Sequence, residues 1–372
     1  KQPGCEYPFK ELAGVGVAFK LCCELIRRND KKISIESLLK IAAIGTVADV
    51  APLIGENRTI TSLGLAGLAD VRNPGLRALL KRLGLAGRGL RAVDVGFKIG
   101  PRINAAGRLA SANTAIDLFA AVDEEAAWQI CSELDRMNAE RQQIEQQVRA
   151  SAEEQIRGGE RILILAGEEW HRGVLGLTAG RIAQRFHRPT LVMTIEGDSC
   201  VGSGRSITTI DLHSQLEAVS ELFTHFGGHE FACGFSLPLA NLEALRGRLH
   251  QRFEMLDQEL FKKEARVDAT LTLAEIDSEF VASHEMLQPF GAGNVQPLFL
   301  VRDVTISSTR MFAEDCSELK LEDATGKAVA VLWPSVKQLG YELAKGHADL
   351  LVRVEPDRYH GMRLEIADAR VI

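Results

Sequence analysis

Long apolar runs are missing from this sequence. No stretch of about 18 uncharged apolar residues occurs, and no basic start leads into an apolar segment with a small-residue cleavage site. A spanning helix and a secretory leader are not expected, which leaves the cytoplasm as the default location and no membrane partner. A cysteine framework is missing too. The seven cysteines are odd in number and form no C-x-x-C pair, so neither a zinc ribbon nor a disulfide scaffold is indicated. An excess of positive charge is also absent. Lys plus Arg is 44 against 50 for Asp plus Glu, a net charge of -6. That excludes attachment to nucleic acid through global charge and leaves only a local basic groove. Several catalytic signatures are absent as well: H-E-x-x-H, D-x-D, D-H-H, G-x-S-x-G and a dinucleotide-binding glycine fingerprint.

What is present is an ordinary globular composition, 46% hydrophobic and 25% charged, in a chain of 372 residues that has room for two or three domains. Residues 7–120 read as a helix-rich unit with apolar residues at three- and four-residue steps. Two polar, glycine-containing pieces interrupt it, GTVADVAPLIGENR and IGPRINAAGRLASAN, and chemistry is expected there. Between Val122 and Ile156 glycine and proline are absent. A helix that long would reach about 50 Å and reads as a strut between domains, its apolar stripe broken by Arg141. RILILAG, a helix from about Gly173 to Phe186 and TLVMTI then give a strand–helix–strand unit. After Lys263, short alternating runs separated by turns predict a small antiparallel barrel, with the five-stranded oligonucleotide-binding type as first choice.

Individual residues within these pieces have chemical readings. Asp49, in GTVADVAPL, is either a local cap or turn residue or a carboxylate ligand to a hard divalent cation, for which no companion ligands are evident. Arg102, Asn104 and Arg108, in PRINAAGR, suit phosphate oxygens, with a surface salt bridge as the plain alternative. Arg205, in GSGRS, follows a glycine-flanked Ser203 that resembles an anion-binding nest. His229 follows two glycines in GGHEFACGFS, where small residues allow a ligand backbone to approach. Trp170 and His171 precede a helix start and mark a second ligand-facing edge. In the last region Phe290, Phe299, Phe312, Trp333 and Tyr359, interleaved with Arg310, Lys320, Arg353 and Arg358, are candidates either for base stacking or for plain core packing.

Taken in order, YPFKELAGVGVAFKL, GTVADVAPLIGENR, GPRINAAGRLASA, LDRMNAERQQIE, WHRGVLGLTAGRIAQRF, GSGRS, GGHEFACGFS and PFGAGNVQPLF resemble the RecJ-type single-strand-specific DNA exonucleases of the DHH phosphoesterase superfamily. The resemblance implies an α/β chain in four parts. These are the C-terminal portion of a DHH catalytic domain (1–120), a long connecting helix (121–156), a DHH-associated α/β domain (157–262) and an oligonucleotide-binding barrel (263–372). It implies 5′ to 3′ hydrolysis of single-stranded DNA to nucleoside monophosphates in recombination and repair, with two Mn2+ or Mg2+ ions. Asp49 would be a metal ligand, and Arg102, Asn104 and Arg108 would lie near the reacting phosphate. Trp170, His171, Ser203, Arg205, Ser206 and His229 would face nucleic acid. The implied partners are single-stranded DNA, a helicase and a single-strand-binding protein, around a monomer.

The family's D-x-D pair, middle aspartate and D-H-H segment are expected ahead of YPFKEL. The chain is therefore expected to start inside a longer protein, to carry an incomplete metal site, to be inactive alone and to leave an apolar helix face uncovered. Two alternatives stand beside this reading: a phosphodiesterase of short oligonucleotides or cyclic dinucleotides, and a non-catalytic single-strand-binding scaffold.

Overall fold

A computed structural model describes residues 4–29, 33–109, 111–313, 316–333, 343, 346–357 and 361–372. By packing, the chain divides into two compact units, one formed by Lys1–Arg72, Leu83–Gly100 and Ala265–Ile372, the other by Asn73–Arg82 and Pro101–Glu264. Linear order and packing thus differ, since the C-terminal region groups with the first helices.

The chain opens with α1 (Gly14–Arg28), α2 (Ile35–Ala48) and α3 (Gly55–Gly67). Ser34 caps α2 by accepting from the Ser37 amide. α2 and α3 pack closely because Gly64 has no side chain: a Cβ there would lie 2.4 Å from that of Ala43. One stripe of α1 stays open, with Val17, Leu21 and Leu25 at 57%, 60% and 50% exposure. Next come α4 (Pro74–Arg82), the short α5 (Ala92–Asp94), a single π-helical stretch over Val95–Ile99, α6 (Gly100–Leu109) and α7 (Asn113–Ala120). The segment GPRINAAGR, one of the two pieces that interrupt the apolar pattern, is thus itself helical. Gly100 and Pro101 follow directly on that π-helical stretch and the helical run continues through them, while Ala105 and Ala106 supply a fully buried face. The long helix α8 spans Glu124–Glu153, its amino end capped by Asp123. It lies wholly within the second unit.

That unit is built on a five-stranded sheet in the order β1-β2-β3-β5-β4, with β1 (Leu163–Glu168) parallel to β2 (Thr190–Glu196) and the rest antiparallel: β3 (Ser199–Arg205), β4 (His225–His229) and β5 (Ala232–Pro238). α9 (Arg172–Phe186) makes the β1–β2 crossover. One sheet face packs Leu163, Leu165 and Val192 against α9 and Val148 and Ala152 of α8. The other packs Ile164, Leu191, Met193, Cys200 and Phe235 against α10 (Leu212–Glu217) and α11 (Leu242–Glu254).

In the first unit, the short β6 (Ala269–Thr270) and α12 (Ser278–Glu285) precede a closed barrel of β7 (Phe299–Ala313), β8 (Cys316–Glu322), β9 (Lys327–Leu332), β10 (His347–Asp357) and β11 (Gly361–Val371). The barrel closes as β7-β8-β9-β11-β10-β7, the only parallel pair in that circuit being β9 with β11. Val301, Leu319, Leu350, Val352 and Leu364 fill it. The turn at Gly291–Asn294 docks on the loop after α2: the Leu53 amide donates to Ala292 O at 2.6 Å, and Arg58 Nη2 donates to Leu287 O at 2.8 Å. Among the described residues no helix is long and apolar enough to cross a membrane.

Candidate nucleic-acid interface

Strand register explains why GSGRS and GGHEFACGFS matter together. Arg205 of β3 pairs with Ala232 of β5, which pairs with His229 of β4. Ser203 pairs with Gly234, which pairs with Gly227. Residues directly opposite in an antiparallel sheet share a face. Ser203, Arg205 and His229 therefore share one face, with His229 roughly 10 Å from Arg205 by the strand spacing. Between them the floor is Gly234, Gly227 and Ala232. A Cβ at Gly227 or Gly234 would meet nothing within 4 Å. α9 leaves this part of the sheet open. Gly228 has a different role: at φ 149° a side chain there would strike Ala232 O, so glycine is needed to make the hairpin.

The cations meet at the first turns of α9. Gly173, Gly176 and Gly180 lie on one face of that helix. A Cβ at Gly176 would sit 2.9 Å from Arg205 Nη2, and one at Gly173 would strike Arg108 O. The glycines thus make room for both arginines. Arg108 Nη1 donates to Gly173 O at 3.3 Å, and Arg205 Nη1 donates to Gly204 O at 2.8 Å. Among the described residues neither arginine forms an ion pair. Burial pushes the pKa of Arg108 down, and burial followed by the charge of Arg108 does the same to Arg205. Arg141 of α8, 7% exposed, is pushed down by burial, then by Arg181 and Arg108, with Glu145 opposing. Its Nη2 donates to Asn138 Oδ1 at 2.9 Å while its Nε has no partner. A group of cations that lower one another's pKa favours an anion between them. The helix start adds to this. His171 caps α9 by accepting the Gly173 amide on Nδ1 at 3.0 Å, so its neutral ring carries the proton on Nε2.

Other expected residues have different surroundings. Arg102 Nε donates to Asp135 Oδ1 at 2.5 Å, and Asp135 also accepts from Arg82, an α4–α6–α8 tie. Burial raises the pKa of Asp135, but these two hydrogen bonds outweigh it and hold it low. Asn104 is exposed on α6. Ser206 closes a turn by donating to Ile210 O at 2.7 Å. Trp170 is 8% exposed, its indole lies over Gly167, where a Cβ would come within 2.2 Å, and together with His171 and Arg108 it lines a cavity at the start of α9. Asp49 belongs to the first unit, as the C-cap of α2, and is exposed. Among the described residues no group of three or more His, Cys, Asp or Glu is placed to hold a metal ion. The donors present therefore do not make up a metal site.

In the barrel, Phe299 is buried and Phe290 half-buried, both against His284. Phe312 is exposed, meets Trp333 edge-on at 6.4 Å, and Arg363 lies 5.8 Å over the indole. Arg310 and Lys320 are exposed, Arg353 half-buried. Tyr359 and Arg358 lie outside the described residues. Arg141 and Arg363 were not singled out as site residues in the sequence, whereas the small residues around His229 were read as room for a ligand backbone. An arginine at a buried position of an apolar stripe was the available signal for Arg141.

Comparison with known proteins matches a DHHA1 domain at residues 159–255 and a RecJ OB domain at residues 267–366. The single-stranded-DNA-specific exonuclease RecJ of Bacillus subtilis is 36% identical over 86% of this chain and 41% of its own length. That of Salmonella typhimurium is 37% identical over 79% of this chain and 55% of its own. The chain belongs to the RecJ family. RecJ from Thermus thermophilus in complex with Mn2+ superposes over the whole chain with a TM-score of 0.86 at 27% identity, using 55% of that structure. A second RecJ structure, bound to manganese, covers 70% of the chain with a TM-score of 0.59 at 33% identity. The chain spans about half the length of the curated RecJ relatives it matches.

Proposed function

We propose that the chain is part of a single-stranded-DNA exonuclease that hydrolyses phosphodiester bonds from the 5′ end and releases nucleoside 5′-monophosphates in recombination and repair. The observation that carries this reading is the open, glycine-floored half-sheet flanked by Ser203, Arg205 and His229, where Arg205 and Arg108 form no ion pair among the described residues. A sugar–phosphate backbone fits such a floor. Its phosphates would take donors from Arg205, Arg108 and the first amides of α9, and contact through phosphates carries little sequence preference. The barrel, which belongs to the other unit, would offer bases a stacking surface of its own at Phe312 and Trp333, with Arg363 and Arg310 beside them. Sequence-tolerant contacts of both kinds suit an enzyme that processes any single strand.

In this reading Arg205 and Arg108 bind and orient the backbone, and Arg102, held by Asp135, keeps α6 in place against α8. Mn2+ or Mg2+ belongs to the proposed activity as in the RecJ structures. Asp49 is the one described carboxylate assigned to it. The four segments 1–120, 121–156, 157–262 and 263–372 are proposed as functional modules, and a helicase and a single-strand-binding protein as partners of a monomeric enzyme. The deciding experiment follows mononucleotide release from single strands labelled at either end, with Mn2+, for the 372-residue chain and for the protein at its full encoded length. Early release of the 5′ label by the longer protein supports the proposal. Silence from both would sink it in favour of a binding scaffold.

A further inference from the structure

At the carboxyl ends of the parallel strands β1 and β2 lies a cavity of about 680 Å3, walled by Arg108, Glu169, His171, Arg172, Thr194 and Glu196. Crevices at such strand ends are where open α/β sheets take ligands, and the volume is that of a small-molecule site. The 15-residue helix α9 begins in its wall. A second, independent feature points to a ligand. Thr194 is 1% exposed, lines the cavity, and its hydroxyl has no hydrogen-bond partner. A buried hydroxyl left unpaired is costly, and a ligand atom in the cavity would remove that cost. Glu169 adds a third feature: it holds φ 60°, a left-handed conformation that a residue with a Cβ adopts only under constraint. The opposite wall is fixed by Arg172, whose Nε donates to Glu196 Oε1 at 2.6 Å.

The cavity is chemically two-sided. Arg108 and the start of α9 favour an anion, whereas Thr194 and Glu169 offer a hydroxyl and a carboxylate, groups that pair with sugar hydroxyls and base amines. We propose that this cleft takes the nucleoside part of a terminal 5′-mononucleotide, with its phosphate toward Arg108 and its sugar or base hydrogen-bonded to Thr194 and Glu169. The proposal rests on the reading of Arg108 and Arg205 as phosphate-binding groups and adds a subsite to it.

Titration calorimetry on the 372-residue chain with inorganic phosphate, deoxyadenosine and dAMP tests it. dAMP is expected to bind at least tenfold more tightly than phosphate. Thr194→Val should erase that margin, leave phosphate binding unchanged and not lower the melting temperature, because it removes an unpaired hydroxyl. Thr194→Ser, which keeps the hydroxyl, should preserve the margin even if the valine variant folds poorly. Arg108→Met should weaken phosphate and dAMP alike. A 5′-phosphorylated oligonucleotide that shares the Thr194 dependence identifies the strand's own end as the occupant; dependence confined to dAMP identifies the released monomer. If phosphate binds but dAMP binds no better, or if Thr194→Val leaves dAMP unchanged, the subsite is overturned while the phosphate reading stands. If phosphate does not bind yet deoxyadenosine binds through Thr194, the subsite stands and the phosphate reading falls.

Discussion

Arg205 is a cation held partly out of water beside another cation, and it has a stabilising reason to be there only if an anion joins them. Arg205→Ala should therefore leave the melting temperature nearly unchanged while weakening single-strand binding about tenfold, or about 1.4 kcal/mol. Fluorescence anisotropy beside a thermal melt checks this; a large drop in melting temperature would assign Arg205 to the fold instead. His284 is the opposite case, a titratable ring 4% exposed among Phe280, Phe290 and Phe299, with no hydrogen bond to either nitrogen and Glu285 Oε1 3.8 Å from Nδ1. Burial lowers its pKa, with Glu285 and Glu355 opposing and Arg91 assisting. Below its ordinary value near 6.5 the unfolded chain binds the proton more readily than the folded one, so His284 costs stability as pH falls from about 7 to 5. His284→Phe should flatten that part of the stability profile in urea titrations. An unchanged slope would refute the assignment. GSGRS and GGH drew attention to Arg205 and His229 in the sequence, and the strand register puts the two on one face. The burial of Trp170 was not legible, because it depends on Gly167 leaving a slot for the indole, a pairing that neither residue shows alone.

Between residues and the whole lies the sheet, whose two-residue period decides which side chains meet. The strand runs RILILAG and TLVMTI and the helix between them could be read directly, and so could the barrel runs after Lys263, since apolar alternation carries that information. Register between β3, β5 and β4 could not. Whether Arg205 and His229 share a face depends on hydrogen-bond pairing across a hairpin, and the paired residues are small ones with little pattern. That GPRINAAGR is helical could not be read either: its glycines and proline mask a helical run that enters through the π-helical stretch before it and buries Ala105 and Ala106. The glycine floor yields its own prediction. A Cβ at Gly234 meets no atom within 4 Å and opens onto free space, so Gly234→Leu, which also replaces a residue that weakens strands, should keep stability or raise it slightly. Single-strand affinity should fall at least tenfold because the added side chain occupies the space assigned to the DNA backbone. Unchanged affinity in a filter-binding assay would mean that the strand does not run over this half of the sheet.

At the scale of the chain, the net charge of -6 means that no long-range attraction holds DNA, so binding must come from local groups. Each phosphate contact to a single strand contributes roughly 0.7 to the slope of log affinity against log salt, and Arg205→Ala should reduce the measured slope by about that amount. The same reasoning separates binding from hydrolysis. The proposed contacts are made by arginines, a histidine, a serine, helix amides and barrel aromatics, and no described group of carboxylates and imidazoles is placed to hold an ion. Removing divalent metal with EDTA should therefore leave the single-strand affinity of the 372-residue chain within about twofold, a change worth about 0.4 kcal/mol. Mononucleotide release by the full encoded protein should stop in the same buffer. Asp49→Ala should act like the chelator, abolishing release while sparing most of the binding. A loss of affinity on chelation, matched by an equal loss in Asp49→Ala, would mean that an ion bridges protein and strand and that Asp49 serves binding as much as cleavage.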